Sequence, residues 1–417
     1  MICINCDEKK LLKIVKIGKQ PLSGFFYRKK KYNLKQYSLD LYKCLGCDLV
    51  QLDNKVKINK MYGKHYGYET SVSKLMISHF KKKIKRLKKL NIIKLKDNVL
   101  DIGSNDASFL KLLGKKYNLW GIDPSAKKFK ENYQGIKLIN NFFSKKNIIE
   151  NNRNKEIKFK LITSFAIFYD VDNPREFCND IENILDENGI WVCEFSYLPL
   201  MLKNLTFDQI CHEHLAYYTL STFENIINGS GLKIIDCKLN EINGGSVEVI
   251  ISKKKNKIKK NNYINKLKKD EKKININSYK NFENRINSSK SKLKAFVNKN
   301  SFIGGYGAST KGNIVLNYNQ LSSKHIKYIC DANKKKYGKY TPGSNIKIIS
   351  KEKMRELNPK FLLVLIWSFR TEIINQEIKY LKSGGNLVFH LPKFHIINKY
   401  NYRKFINKSF KELSYKY

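Results

Sequence analysis

The sequence predicts an α/β chain in which a small zinc-ribbon module precedes two Rossmann-like units. Three observations carry that reading. Two Cys-x-x-Cys pairs, Cys3 with Cys6 and Cys44 with Cys47, bracket the N-terminal stretch. A glycine turn, Asp101-Ile-Gly-Ser-Asn-Asp106, follows an apolar run, and a second turn, Gly304-Gly-Tyr-Gly-Ala-Ser-Thr-Lys-Gly312, recurs far downstream.

A chain of 417 residues exceeds one ordinary core, and 42% hydrophobic content is ample for several. The formal charge of +45 raises nucleic-acid binding, because clustered basic residues neutralise phosphates. Here arginine is rare and lysine is spread along the chain beside abundant Asn and Ile, a vocabulary that an AT-rich genome imposes on solvated faces. No specific nucleic-acid partner is therefore expected. No run approaches the roughly 18 apolar residues of a membrane span, and no apolar signal segment precedes the first cysteines. The expectation is a cytoplasmic protein without a membrane partner. Nine cysteines, an odd number with four in paired knuckles, fit reduced thiolates better than a disulfide framework.

Residues 1–60 form the first predicted module. Its four thiolates, Cys3, Cys6, Cys44 and Cys47, satisfy tetrahedral zinc and leave no open position, so the metal is structural. A linker with Tyr62, Tyr66 and Tyr68 leads to an amphipathic helix over Leu75 to Leu90 and opens the second module, residues 61–252. Asn98-Val-Leu-Asp-Ile102 reads as a buried strand. The turn after it, and the strand Leu119-Trp-Gly-Ile122 ending at Asp123-Pro124, have the spacing of a nucleoside crevice, with glycine admitting the ligand and the acid taking ribose hydroxyls. Further strands at Phe159 to Thr163 and Ile190 to Glu194 alternate with helical stretches, which indicates a parallel sheet, and Ser246 to Ile251 closes it. Residues 253–300 read as a helical connector with a packing stripe of Tyr279, Phe282, Ile286, Leu293, Phe296 and Val297. Residues 301–417 repeat the pattern, with strands ending at Gly307, at Asp331 and before Trp367-Ser-Phe-Arg370. Thr310 stands where a dinucleotide fingerprint has its third glycine, so contact with a sugar nucleotide is favoured over NAD. The amides around Gly307 to Thr310, with Lys311, suit a pyrophosphate.

Between the glycine turns lies Asp208-Gln-Ile-Cys-His-Glu-His214, followed by Tyr217-Tyr218 and Asn243-Gly-Gly-Ser246. Clustered titratable groups of this kind mark proton-handling sites, whereas His65, His79, His325, His390 and His395 read as ordinary satisfied residues. The zinc knuckles with Gly18-Lys-Gln-Pro-Leu22, the turn at Asp101, the run Ile210-Cys-His-Glu-His214 and the loop Gly305 to Gly312, in that order, resemble the nucleotide-sugar C-methyltransferases, which make branched-chain deoxysugars. The resemblance implies a zinc-binding domain, a central S-adenosylmethionine domain and a C-terminal Rossmann-like domain that helps hold the nucleotide sugar. It implies Asp101, Gly103, Asn105, Asp106, Asp123, Pro124 and Ala166 as cofactor-binding residues. Tyr68, Asn243, Gly307, Ser309, Lys311 and Arg370 fall to the substrate. Three positions depart from the family pattern: Cys211 replaces a tyrosine, Ser196 a histidine and Ala107 a glycine.

The expected reaction moves a methyl group to a carbon beside the ketone of a nucleotide-linked 4-keto-deoxysugar. That carbon must first lose a proton. His214 is the expected base, since its ordinary pKa lies near working pH, with Glu213 or His212 as its partner. Tyr66, Tyr68, His212 or the Asn243 amide would donate to the enolate oxygen. Rival readings are a zinc-ribbon RNA or DNA methyltransferase and a non-catalytic zinc-dependent interaction protein. The oligomeric state is open, and a monomer would suffice.

Overall fold

A computed structural model describes residues 1–53, 56, 61–62, 67–406 and 408–416. Its N-terminal part is built from short strands: β1 (Leu11–Val15), β2 (Lys19–Pro21), β3 (Gln36–Ser38), β4 (Leu41–Cys44) and β5 (Val50–Leu52). β2 and β3 form a hairpin, and β1, β4 and β5 pair antiparallel in that order. This small sheet has little core of its own. Ile14, Val15, Leu41 and Val50 join the apolar core of the C-terminal sheet, while Cys3, Cys44 and Leu49 join that of the central sheet. The module thereby packs against both larger units, its metal-binding end on the central one.

The helix Lys74–Leu90 begins where the Ser73 side chain accepts from the Met76 amide, and it ends at the left-handed Asn91. Met76, Phe80, Ile84 and Leu87 recur at three- and four-residue spacing and are buried, each contributing about 1.5–3 kcal/mol. The strands that follow are β6 (Asn98–Ile102), β7 (Asn118–Ile122), β8 (Lys137–Ile139), β9 (Phe159–Phe165) and β10 (Leu185–Ser196). A two-residue strand, β11 (Ala216–Tyr217), leaves this layer, and β12 (Leu232–Asn240) and β13 (Ser246–Lys253) return to it. The sheet order is β12-β13-β10-β9-β6-β7-β8, parallel except that β13 runs against both neighbours. The chain order reverses between β6 and β9, so the carboxyl ends of these strands open a crevice.

Two helices, Tyr263–Glu271 and Ile276–Lys299, lead to the last unit, and the longer one buries Tyr279, Phe282, Ile286, Leu293 and Val297. The strands β14 (Ile303–Tyr306), β15 (Ile326–Cys330), β16 (Ile348–Ile349), β17 (Phe361–Val364), β18 (Asn386–Phe389) and β19 (His395–Ile397) form a sheet ordered β16-β15-β14-β17-β18-β19. All pairs are parallel except β18 with β19. Its own reversal point lies between β14 and β17 and faces the crevice of the central sheet across a shared cavity. Among the described residues no helix is long and apolar enough to cross a membrane.

Candidate active site

The cavity encloses about 870 Å³ and is lined from all three parts of the chain. That size lies inside the roughly 300–1,000 Å³ common for ligand pockets. One end is the turn after β6. Gly103 has φ +73°, and a Cβ there would stand 2.2 Å from Ile167 Cδ1, so the turn needs glycine both for its conformation and for space. Asn105 and Ala107 also take left-handed φ values of 48° and 61°, a conformation that asparagine tolerates and alanine does not favour. Thr163 Oγ1 donates to Asp101 at 2.6 Å; burial raises the Asp101 pKa to about 7, with Asp123 adding to the rise and Thr163 opposing it. Asp123 accepts from the Asn105 amide at 2.9 Å and from Ser125. Asp101, Gly103, Asn105, Asp123, Pro124 and Ala166 all line the cavity. Asp106 does not, and instead accepts from Ser71 N at 2.8 Å and from Ser108.

The opposite wall carries the histidine cluster. His214 and Glu213 are 8% exposed and line the same cavity as Gly103. The His214 ring lies 4.1 Å, centroid to centroid, from that of Tyr169. Burial and the neighbouring Lys311 charge bring its pKa down to about 3, against the pull of the Gln209 backbone, so the imidazole is neutral. Burial also raises the Glu213 pKa. His212 points elsewhere: its ring meets Tyr37 of β3 edge-on at 5.9 Å, and it is not part of the cavity wall. Tyr66 lies outside the described residues. Tyr68 lines the wall and is in contact with the turn, its carbonyl accepting from Asn105 Nδ2 at 3.3 Å.

Two side-chain pairings on the wall join segments that the sequence does not link, and one of their members, Asp170, has no local signal that would single it out. Tyr62 donates to Asp170 at 2.6 Å, and Trp367 Nε1 donates to Asp208 at 2.9 Å. Burial lifts Asp170 well above the usual carboxylate range and Asp208 to about 6. Asp170 Oδ1, Asp208 Oδ1 and Glu213 Oε2 have no hydrogen-bond partner among the described residues, which leaves three acceptors free on one wall. Glu194, at the end of β10, behaves oppositely. Burial would raise its pKa, but Lys83 at 2.6 Å and His79 at 3.0 Å hold it at about 2.

At the C-terminal turn, Gly307 has φ +89°, and a Cβ there would stand 2.5 Å from Ile366 Cγ1. Gly307, Ser309 and Lys311 line the cavity, as does Asn243. The Gly307 amide already donates to Cys330 O at 2.8 Å and that of Ala308 to Asp331 at 2.8 Å, so neither is available to a phosphate. Lys311 Nζ donates to Asn243 Oδ1 at 2.9 Å, and its charge is felt at His214. Arg370 is away from the cavity, 2% exposed, against the Phe405 and Phe410 rings with Nη2 donating to the Lys408 carbonyl.

The thiolates of Cys3, Cys6, Cys44 and Cys47 lie within 4.8 Å of one another, with Cys3–Cys47 at 3.6 Å and Cys6–Cys44 at 3.5 Å. A tetrahedral zinc with sulfur at about 2.3 Å separates its ligands by roughly 3.8 Å, so the four cysteines fit that ion and complete its shell.

Three family profiles match in series: "Putative zinc binding domain" over residues 3–62, "Methyltransferase domain" over 74–236 and "C-methyltransferase C-terminal domain" over 241–392. Among solved structures, an S-adenosylmethionine-dependent methyltransferase from Clostridium acetobutylicum is 16% identical and aligns with 44% of this chain and 92% of its own, at a TM-score of 0.32. Magnesium protoporphyrin IX methyltransferase from Synechocystis, solved with S-adenosylhomocysteine, is 12% identical over 42% of this chain and 83% of its own, also at 0.32. Zinc-binding module, glycine-lined crevice and matched profiles define a methyltransferase. C-methyltransferase NovU from Streptomyces niveus is 26% identical over 95% of this chain and 96% of its own length. The chain is an S-adenosylmethionine-dependent C-methyltransferase related to NovU, with a zinc-binding N-terminal domain.

Proposed function

We propose that the acceptor is a nucleotide-linked 4-keto-deoxysugar and that His214 removes the proton from the carbon beside its ketone. The single observation that carries this reading is the presence of His214 and the Gly103 turn on one cavity. S-adenosylmethionine, when bound by Asp101, Gly103, Asn105, Asp123, Pro124 and Ala166, supplies the electrophilic methyl group. Everything else falls to the chain. The buried His214 is neutral and so can accept a proton, while burial and the Lys311 charge hold its basicity below the near-neutral value that best suits a base, so its strength must rise when substrate binds. The ammonium of Lys311, held by Asn243 within electrostatic reach of His214, suits the oxyanion that forms when the proton leaves. Tyr68 lines the same wall, and the free oxygens of Asp170, Asp208 and Glu213 suit sugar hydroxyls. Gly307 and Ser309 then face the nucleotide. Positioning of donor and acceptor accounts for the transfer itself.

The domain division that accompanies this reading is residues 1–60 for zinc, 61–252 for the cofactor, 253–300 as helical connector and 301–417 for the nucleotide sugar. Incubation with labelled S-adenosylmethionine and a panel of nucleotide 4-keto sugars tests the substrate class. His214→Ala should lower kcat roughly 10²–10⁴-fold and abolish exchange of the sugar's α-proton with deuterated solvent while S-adenosylmethionine still binds. Exchange at the wild-type rate would remove His214 from the reaction.

A further inference from the structure

The zinc module does more than fold on its own metal. β5 pairs antiparallel with β11, so Gln51 faces Ala216 and Val50 faces Tyr217, and the strand that completes the zinc module's sheet begins two residues after His214. Leu215, the residue next to His214, is fixed from both sides: its carbonyl accepts from Leu52 N at 3.0 Å, and its amide donates to Tyr169 O at 2.7 Å. Tyr169 in turn packs against the His214 ring. On the metal side, Gln51 is 1% exposed and grips the first cysteine knuckle with both ends of its amide. Its Oε1 accepts from Ile4 N at 2.9 Å and its Nε2 donates to Ile2 O at 3.0 Å, which straddles the ligand Cys3. The other knuckle is tied to the residue just before that strand, because Cys44 N donates to Leu49 O at 2.8 Å.

We infer that Gln51 is a positioning residue that couples the zinc knuckle to the loop carrying His214. The four cysteines hold the knuckle rigid when metal is bound, Gln51 transfers that position to β5, and β5 sets where Leu215, and with it the His214 ring, lies against Tyr169. A second contact from the same module points the same way: Gly24 approaches so closely that a Cβ there would stand 2.9 Å from Glu213 Oε1. The catalytic consequence rests on His214 acting as the base; the structural tie does not.

The test uses the zinc-loaded full chain with Gln51→Ala, which removes both hydrogen bonds, and Gln51→Glu, which keeps an acceptor for Ile4 but no donor for Ile2. Zinc content, amide hydrogen exchange over residues 214–219, S-adenosylmethionine affinity and kcat are measured for each. Gln51→Ala is expected to keep its full zinc and its cofactor affinity, to exchange the 214–219 amides about tenfold faster and to lose about ten- to a hundredfold in kcat, with Gln51→Glu between it and the wild type. Wild-type protection of 214–219 in a zinc-loaded Gln51→Ala protein overturns the coupling. Should Gln51→Ala lose its metal, Gln51→Glu decides by the same exchange readout. Lost protection with unchanged kcat supports the tie and counts instead against His214 as the base.

Discussion

At the scale of single residues, burial sets the charge of the site. His214 and Asp101 lie on one cavity and are shifted in opposite directions by the same cause, since desolvation favours a neutral imidazole and a neutral carboxyl alike. The consequence for Asp101 can be signed. Its raised pKa near 7 means that below neutral pH the empty crevice holds a proton there, whereas a cationic cofactor in the same cavity favours the carboxylate. S-adenosylmethionine affinity should therefore increase from pH 6 to pH 8, by up to about tenfold per unit below the Asp101 pKa, and calorimetry should record proton release on binding. Asp101→Asn should flatten that dependence; an equally steep profile in the variant would assign it to another group. Arg370 presents the reverse case, a residue that the family resemblance assigns to the substrate and the structure surrounds with Phe405 and Phe410. Arg370→Lys should cost about 1.5–3 kcal/mol through the lost bond to the Lys408 carbonyl, seen as a lower Tm, with the KM for the sugar nucleotide unchanged. A raised KM at unchanged Tm would return Arg370 to the substrate.

At the scale of elements, the turn after β6 was readable because its demands are local. Strand, glycine and acid follow one another in the sequence, and the required positive φ at Gly103 explains the glycine. The same turn shows what its departure from the family pattern costs. Ala107 carries a Cβ at φ 61°, a conformation worth roughly 1–2 kcal/mol against an L-residue. Ala107→Gly should accordingly raise the unfolding free energy by about 1 kcal/mol once the extra freedom of glycine in the unfolded chain is subtracted. Gly103→Ala should do the opposite and also weaken cofactor binding, because Ile167 must move aside. Paired denaturant melts and calorimetry check both, and equal stabilities would show that the turn relaxes. The His-Glu-His run was legible as a cluster but not as a geometry. Adjacent residues in an irregular segment separate freely, and here His212 turns to the N-terminal hairpin while Glu213 and His214 face the cavity.

Across the whole molecule, the site is an assembly of surfaces from distant parts of the chain. Tyr62 meets Asp170, Asp208 meets Trp367, Asn243 meets Lys311, and Gln51 meets Ala216. None of these pairs has a periodicity or spacing that reveals it, because each joins segments brought together only when the sheets pack. The high positive charge of the chain is not concentrated on the cavity wall, where acidic residues such as Asp170, Asp208, Glu213 and Glu194 outnumber the lysines Lys311, Lys336 and Lys351.

The sequence by itself determined the cysteine knuckles, the two glycine turns and the clustering of titratable residues in the His-Glu-His run, since metal geometry, positive φ and short-range hydrophobic periodicity are written in neighbouring residues. Tertiary structure alone decided which histidine faces the cavity, which amides of the second turn are already spent on Cys330 and Asp331, and that the zinc module's sheet ends in the strand behind His214. Those outcomes depend on pairing and desolvation between segments far apart in the chain, and such contacts exist only after the parts have packed.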